Sequence, residues 1–157
     1  MTKYYNTMVV FQEIPNEITL AINVTNCPCK CPSCHSKFLW GDVGIELTED
    51  ELSGLLERNK GITCVCFMGG DANPSDINSL AQYVKCNHGI KVGWYSGRDE
   101  LSDEIDLNNF DFVKIGRYDE AYGPLNKETT NQRMYMVNGD KSLSDITNLF
   151  WRRSKAV

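Results

Sequence analysis

Between Asn26 and Trp40 the chain reads N-C-P-C-K-C-P-S-C-H-S-K-F-L-W, and within it Cys27, Cys31 and Cys34 stand at the spacing C-x3-C-x2-C. Three thiolates on one short loop suit a metal cluster. A cubic [4Fe-4S] cluster has four irons and usually takes four cysteines, so a loop with three leaves one iron open to a ligand from outside the protein. The alternative is a structural zinc ion whose four ligands are completed by Cys29 or His35. Zinc sites usually join two ligand pairs from separate segments, whereas every candidate here falls within nine residues, an awkward start for a closed tetrahedral shell. Cys29 reads as a spare thiol between two proposed ligands.

The elements that must position this loop follow from hydrophobic period. Ile18, Leu20, Ile22 and Val24 alternate with Thr19, Ala21 and Asn23, which predicts a strand with one buried face running straight into the cysteines. Thr48-Glu49-Asp50-Glu51 has the form of a capping box, and Leu52, Leu55 and Leu56 follow at helical spacing up to Asn59-Lys60-Gly61. Ile62 to Met68 is a nearly unbroken apolar run, the pattern of a strand covered on both faces, and ends at Gly69-Gly70-Asp71. A second helix is expected from Ser75 to Asn87-His88-Gly89, where His88 reads as a helix-end cation rather than a catalytic base. Strands recur at Ile90 to Tyr95 and Phe110 to Ile115. Leu143, Ile146, Leu149, Phe150 and Trp151 predict an amphipathic closing helix over about 143–153. Alternating strands and helices indicate an α/β fold of parallel β-α units in a single domain over 1–157.

In parallel α/β folds chemistry gathers at the carboxyl ends of strands. The cysteine loop follows the first of these strands, Gly69-Gly70-Asp71 the second, Ser96-Gly97 the third and Gly116-Arg117 the fourth. All four are expected in one pocket. A double glycine at a strand end lets backbone amides and carbonyls approach a ligand closely. Trp40, Trp94 and Tyr95 are candidates for a substrate surface or for core packing. Cys64 and Cys66 read as small core residues, expected on opposite faces of their strand.

The chain has 157 residues, 41% of them hydrophobic, with 21 acidic against 16 basic side chains. Its acidic balance disfavours a nucleic-acid partner. No apolar run approaches the roughly 20 residues of a membrane span, and the opening residues lead into no signal-peptide core, so no membrane partner is expected. Seven cysteines, an odd number with four crowded into Cys27 to Cys34, fit a reducing compartment better than a disulfide framework. A cytoplasmic location is expected.

With these residues in hand, Cys27, Cys31 and Cys34 resemble the cluster ligands of the radical S-adenosylmethionine superfamily, and Gly69-Gly70-Asp71 resembles its Gly-Gly-Glu motif with an acid swap. Within that superfamily the chain is most similar to the activating proteins of anaerobic ribonucleoside-triphosphate reductases. The likeness spans almost the whole length: the Tyr5-Asn6 opening, the cysteine loop with trailing Trp40, F-M-G-G-D, W-Y-S-G at 94–97 and T-N-Q-R at 130–133. It departs from the pattern at Ser33, where an aromatic residue is frequent, at the extra Cys29, and at Ala72-Asn73 before Pro74.

The resemblance implies a minimal, open, partial (β/α) barrel with two cofactors, a [4Fe-4S] cluster and S-adenosyl-L-methionine. The methionine amine and carboxylate would chelate the iron that lacks a cysteine. Reductive cleavage would then yield a 5'-deoxyadenosyl radical that takes a hydrogen from a glycine in the large subunit of the anaerobic reductase. The other partner implied is a flavodoxin-like or other low-potential electron donor. Gly69, Gly70, Asp71 and Ser96 are the residues expected to hold S-adenosylmethionine, joined by Ser33 and His35 of the loop, with packing beside the cluster as the alternative for His35. Asn131-Gln132-Arg133 is expected in the site wall or partner surface. Alternatives are an activase of another glycyl radical enzyme, of the formate-lyase type, a small-molecule radical enzyme, and a non-enzymatic zinc or redox-sensing module.

Overall fold

Among the described residues, eight strands form one open sheet in the order β3-β1-β2-β4-β5-β6-β7-β8, accompanied by three α-helices. The computed structural model describes residues 1–155, with side chains to Trp151. The strands are β1 (Lys3–Val10), β2 (Thr19–Val24), β3 (Ile45–Glu46), β4 (Cys64–Met68), β5 (Lys91–Tyr95), β6 (Phe112–Ile115), β7 (Arg133–Val137) and β8 (Leu143–Asp145). The helices are α1 (Glu49–Arg58), α2 (Pro74–His88) and α3 (Asn148–Lys155). The fold is therefore α/β, as expected. Four central strands, β2, β4, β5 and β6, run parallel in sequence order, with Leu20 opposite Val65, Val65 opposite Val92 and Trp94 opposite Val113. Antiparallel pairs flank them on both sides.

The flanking strands were not legible as parallel units. In β1 a bulge between Tyr4 and Asn6 interrupts the alternation that would have marked a strand, and β7 and β8 form a short hairpin through Asn138–Ser142. The expected closing helix over 143–153 is corrected here: Leu143 lies in β8, and the helix begins only at Asn148. Thr147 explains the late start. Its hydroxyl donates to Asp145 Oδ1 (2.6 Å) and accepts from Met134 N (2.9 Å), binding this segment to β7 before the helix opens.

Two apolar layers cover the central strands. On one face Leu20, Ile22, Val65, Phe67, Val92, Trp94 and Val113 pack against Leu52, Leu55 and Leu56 of α1 and Ile77, Leu80, Ala81 and Val84 of α2. On the other, Ile14, Cys64, Cys66, Phe112 and Met134 pack against Phe150 of α3. Each fully buried aliphatic or aromatic chain contributes about 1.5–3 kcal/mol. Strand β2 is thus covered on both faces rather than one, because Thr19 and Ala21 lie beneath the second layer at 0% and 4% exposure. Cys64 and Cys66 share that second face, correcting the expectation of opposite faces. Residues two apart on a strand point the same way.

The helix boundaries follow local chemistry. Thr48 Oγ1 accepts from Glu51 N (3.1 Å), satisfying one orphan donor of α1, while the Glu51 carboxylate turns instead to the Tyr4 hydroxyl (2.5 Å) and ties α1 to β1. Helix α2 opens on Pro74 and closes at Gly89 in the left-handed conformation. Thr48→Ala should lower stability to urea by about 1 kcal/mol, the cost of a lost N-cap. Phe67→Ala, which empties a position of 0% exposure in the larger layer, should cost about 3–5 kcal/mol in the same measurement.

Candidate functional site

At the carboxyl ends of the four parallel strands the chain leaves the sheet through four loops, and the Asp71 carboxylate joins three of them. Asp71 is only 5% exposed. Its Oδ1 accepts from the Ser96 hydroxyl (2.5 Å) and its Oδ2 from Gly97 N (2.8 Å), while Cys29 Sγ lies 3.8 Å from Oδ2. Ser96 in turn accepts from Arg98 N (3.1 Å). Asp71 and Ser96 are thereby engaged with each other and with the β5 loop, so they hold the loops in place.

The double glycine turns as a side chain would forbid. Gly69 and Gly70 have φ of 108° and 102°, and a Cβ at Gly70 would meet Ile77 Cγ1 at 2.5 Å. Gly69 is committed at both ends, its N–H to the Tyr95 carbonyl (3.0 Å) and its carbonyl to the Trp94 indole N–H (2.7 Å). Trp94 is therefore a core residue whose polar edge fixes the turn. Gly70 O accepts from Asn73 N (3.0 Å), which starts α2 close behind.

The cysteine loop starts where Asn26, in the left-handed region (φ 61°), turns the chain out of β2, and Lys30 repeats that conformation (φ 44°). Asn26 N donates to Gly41 O (2.9 Å) and Cys27 N to Leu39 O (3.0 Å), closing the loop on itself. Cys27, Cys29, Cys31 and Cys34 are all half-buried free thiols. The Cys29 thiol donates to the Cys27 sulfur, and with help from the backbone N–H groups of Cys29 and Lys30 this lowers the Cys27 pKa to about 6 against the opposing effect of burial. Cys29 is pushed upward, first by that same hydrogen bond and then by burial and Asp71. Cys27 is thus poised as a thiolate and Cys29 as its proton-bearing neighbour. Cys34 Sγ accepts from Ser36 N (3.2 Å).

Ser33 and His35 face the β6 loop. Ser33 Oγ donates to Glu120 Oε2 (2.7 Å), and the His35 ring meets Tyr118 edge-on at 5.5 Å between centroids. Beside the loops a cleft of about 450 Å³ is lined by Pro28, Cys29, Gly97, Arg98, Asp99, Glu100 and Arg117. Asn131 and Gln132 adjoin the same region, where Asn131 Nδ2 donates to Arg117 O (3.1 Å) and Gln132 Cα lies 3.0 Å from where a Cβ of Gly116 would stand.

Lys114 belongs to no motif of the sequence. Its signal was a single charged residue inside the apolar strand Phe112–Ile115. Its side chain reaches the loops from below, donating to Gly116 O (2.8 Å) and Ser96 O (3.2 Å) and lying 5.7 Å from the Tyr95 ring centroid. Burial pulls its pKa down to about 8, opposed first by the Asp71 charge and then by Cys31, Cys29 and Cys66.

Among the described residues no three His, Cys, Asp or Glu side chains are grouped to hold one metal ion. A cubic cluster asks for a different donor set, one thiolate on each of several irons. Cys27, Cys31 and Cys34 are half-buried on one loop and are donors of the kind such a group takes, while the cysteine that lines the cleft is Cys29. Also among the described residues, no helix is long and apolar enough to cross a membrane. Comparison of the chain with protein-family models, with curated proteins and with solved structures gives no match.

Alkylation of the metal-free protein, mapped by mass spectrometry, should show Cys27 reacting with a pH midpoint near 6. Cys29→Ala should move that midpoint upward and slow Cys27 at pH 6.5, because the hydrogen bond favouring the thiolate is gone.

Proposed function

We propose that this chain is a radical S-adenosylmethionine activase that generates a glycyl radical on the large subunit of an anaerobic ribonucleoside-triphosphate reductase. The observation that carries the reading is the junction of Asp71 with Ser96, Gly97 and Cys29, where the three-cysteine loop, the double-glycine turn and the W-Y-S-G loop meet at the ends of adjacent parallel strands. Sequential strand order, with α1 and α2 on the same face, is the winding of a (β/α) barrel and supports the open, partial version of it. A doubly wound sheet would instead reverse its strand order.

Cys27, Cys31 and Cys34 would hold the cluster, leaving one iron without a protein ligand. When bound, the [4Fe-4S] cluster supplies the electron that splits S-adenosylmethionine into methionine and a 5'-deoxyadenosyl radical. The chain binds and orients. The Gly70 and Asp71 backbone, kept in position by Trp94 and Asn73, offers amides to the methionine moiety. Asp71 and Ser96 hold the β4 and β5 loops at a set spacing, and the cleft between Arg98 and Arg117 receives the remainder. The cysteine loop closes the site toward Tyr118 and Glu120. A mouth bounded by loops rather than by a closed barrel admits a backbone glycine of a partner, whose α-carbon has no side chain to obstruct approach. The choice of reductase as partner rests on the likeness of the cysteine loop with Trp40, F-M-G-G-D, W-Y-S-G and T-N-Q-R, and a low-potential donor of flavodoxin type in the cytoplasm completes the reading.

The test is anaerobic reconstitution with iron and sulfide, addition of dithionite and S-adenosylmethionine, and detection of 5'-deoxyadenosine by mass spectrometry. Cys31→Ala should lose both the cluster and the product, to background. Cys29→Ala should retain most of both, and loss of iron in that variant would overturn the ligand assignment. Zinc taken up in place of iron would overturn the activase reading.

A further inference from the structure

Lys114 projects from β6 on the same face as Phe112, beneath the loop junction, and is 7% exposed. An ammonium group carries three donors, and two of them go to main-chain carbonyls of different loops, Ser96 O after β5 and Gly116 O after β6. The ion pairs of the described residues do not include Lys114. Asp71, the buried carboxylate nearest in the network, takes its hydrogen bonds from the neutral Ser96 hydroxyl and Gly97 amide. A buried ammonium is costly unless its donors are satisfied, and two of the three donors here are. Here the charge sits one residue link from Asp71 and two from Cys29, and its field reaches Cys31.

We propose that Lys114 is a positioning cation of this site, tying the β5 and β6 loops together and stabilising the negative charge that a cluster on Cys27, Cys31 and Cys34 gains on reduction. This rests on the cluster reading of the loop. Three thiolates on a four-iron cube leave an anion, and one added electron makes it more negative in a setting of low dielectric, where a fixed cation acts strongly. The cation favours the reduced state over the oxidised one and so raises the midpoint potential. The electron itself comes from the low-potential donor, or from dithionite in the test.

The experiment is a potentiometric titration of the anaerobically reconstituted protein, followed by the electron paramagnetic resonance signal of the reduced cluster, without S-adenosylmethionine. Lys114→Met removes the charge and keeps the length, Lys114→Gln removes the charge and keeps a donor, and Lys114→Arg keeps the charge. With iron content and far-ultraviolet circular dichroism like the wild type, the neutral variants should disfavour the reduced cluster at least tenfold, a downward shift of 59 mV for one electron. Lys114→Arg should recover most of it. A wild-type potential in either neutral variant overturns the proposal, as does failure of both to take up iron, which would make Lys114 a folding residue. A wild-type protein that takes up no four-iron cluster overturns the activase reading itself, before any variant is compared.

Discussion

Everything at the loop end of this sheet depends on a buried carboxylate. Taking Asp71 out of water is costly unless each oxygen is satisfied, and the chain satisfies them with a hydroxyl and an amide from the neighbouring strand's loop. Those two bonds set the spacing of the β4 and β5 loops, and the approach of Cys29 sets the third loop against them. Glycine is what allows the approach: a Cβ at Gly97 would stand 3.0 Å from Cys29 Sγ. An acid at the end of a Gly-Gly turn thus acts as a clamp on the loops around it.

Beneath the clamp lies its counterpart in charge. Lys114 lies between the second apolar layer and the loops, donating to the carbonyls of Ser96 and Gly116, the second of which also accepts from Gln132 Nε2. Carboxylate above and ammonium below act on the same loops through Ser96, one through its hydroxyl and the other through its carbonyl. The thiols respond to this field: Asp71 raises the cost of charge at Cys29, and the proton kept there stabilises the thiolate at Cys27. Proton and charge are therefore distributed unequally among cysteines that look alike in the sequence.

The outer strands serve a different end. Edges of an open sheet expose unpaired backbone, and here β1 on one side and the β7–β8 hairpin on the other extend the parallel core with antiparallel partners. The hairpin also carries Gln132 against Gly116, so the T-N-Q-R segment buttresses the fourth loop.

Periodicity and caps determined the parallel core by themselves. The Thr48 cap, the Leu52-Leu55-Leu56 stripe, the apolar run into Met68 and Gly89 after α2 are signals within a few residues of chain, and the elements formed where those signals lie. The convergence of four loops was legible too, since parallel strands in sequence order put like ends together. Tertiary structure alone decided the rest. The bulged β1 and the β7–β8 hairpin are stabilised by partners distant in sequence, and the Thr147–Asp145 bonds displaced the start of the last helix from where its apolar spacing placed it. The same holds for the bonding of Asp71, the splitting of Cys27 from Cys29, and the burial of Lys114. Each depends on hydrogen bonds and desolvation set by loops that meet only in the folded chain, and local residue spacing contains neither.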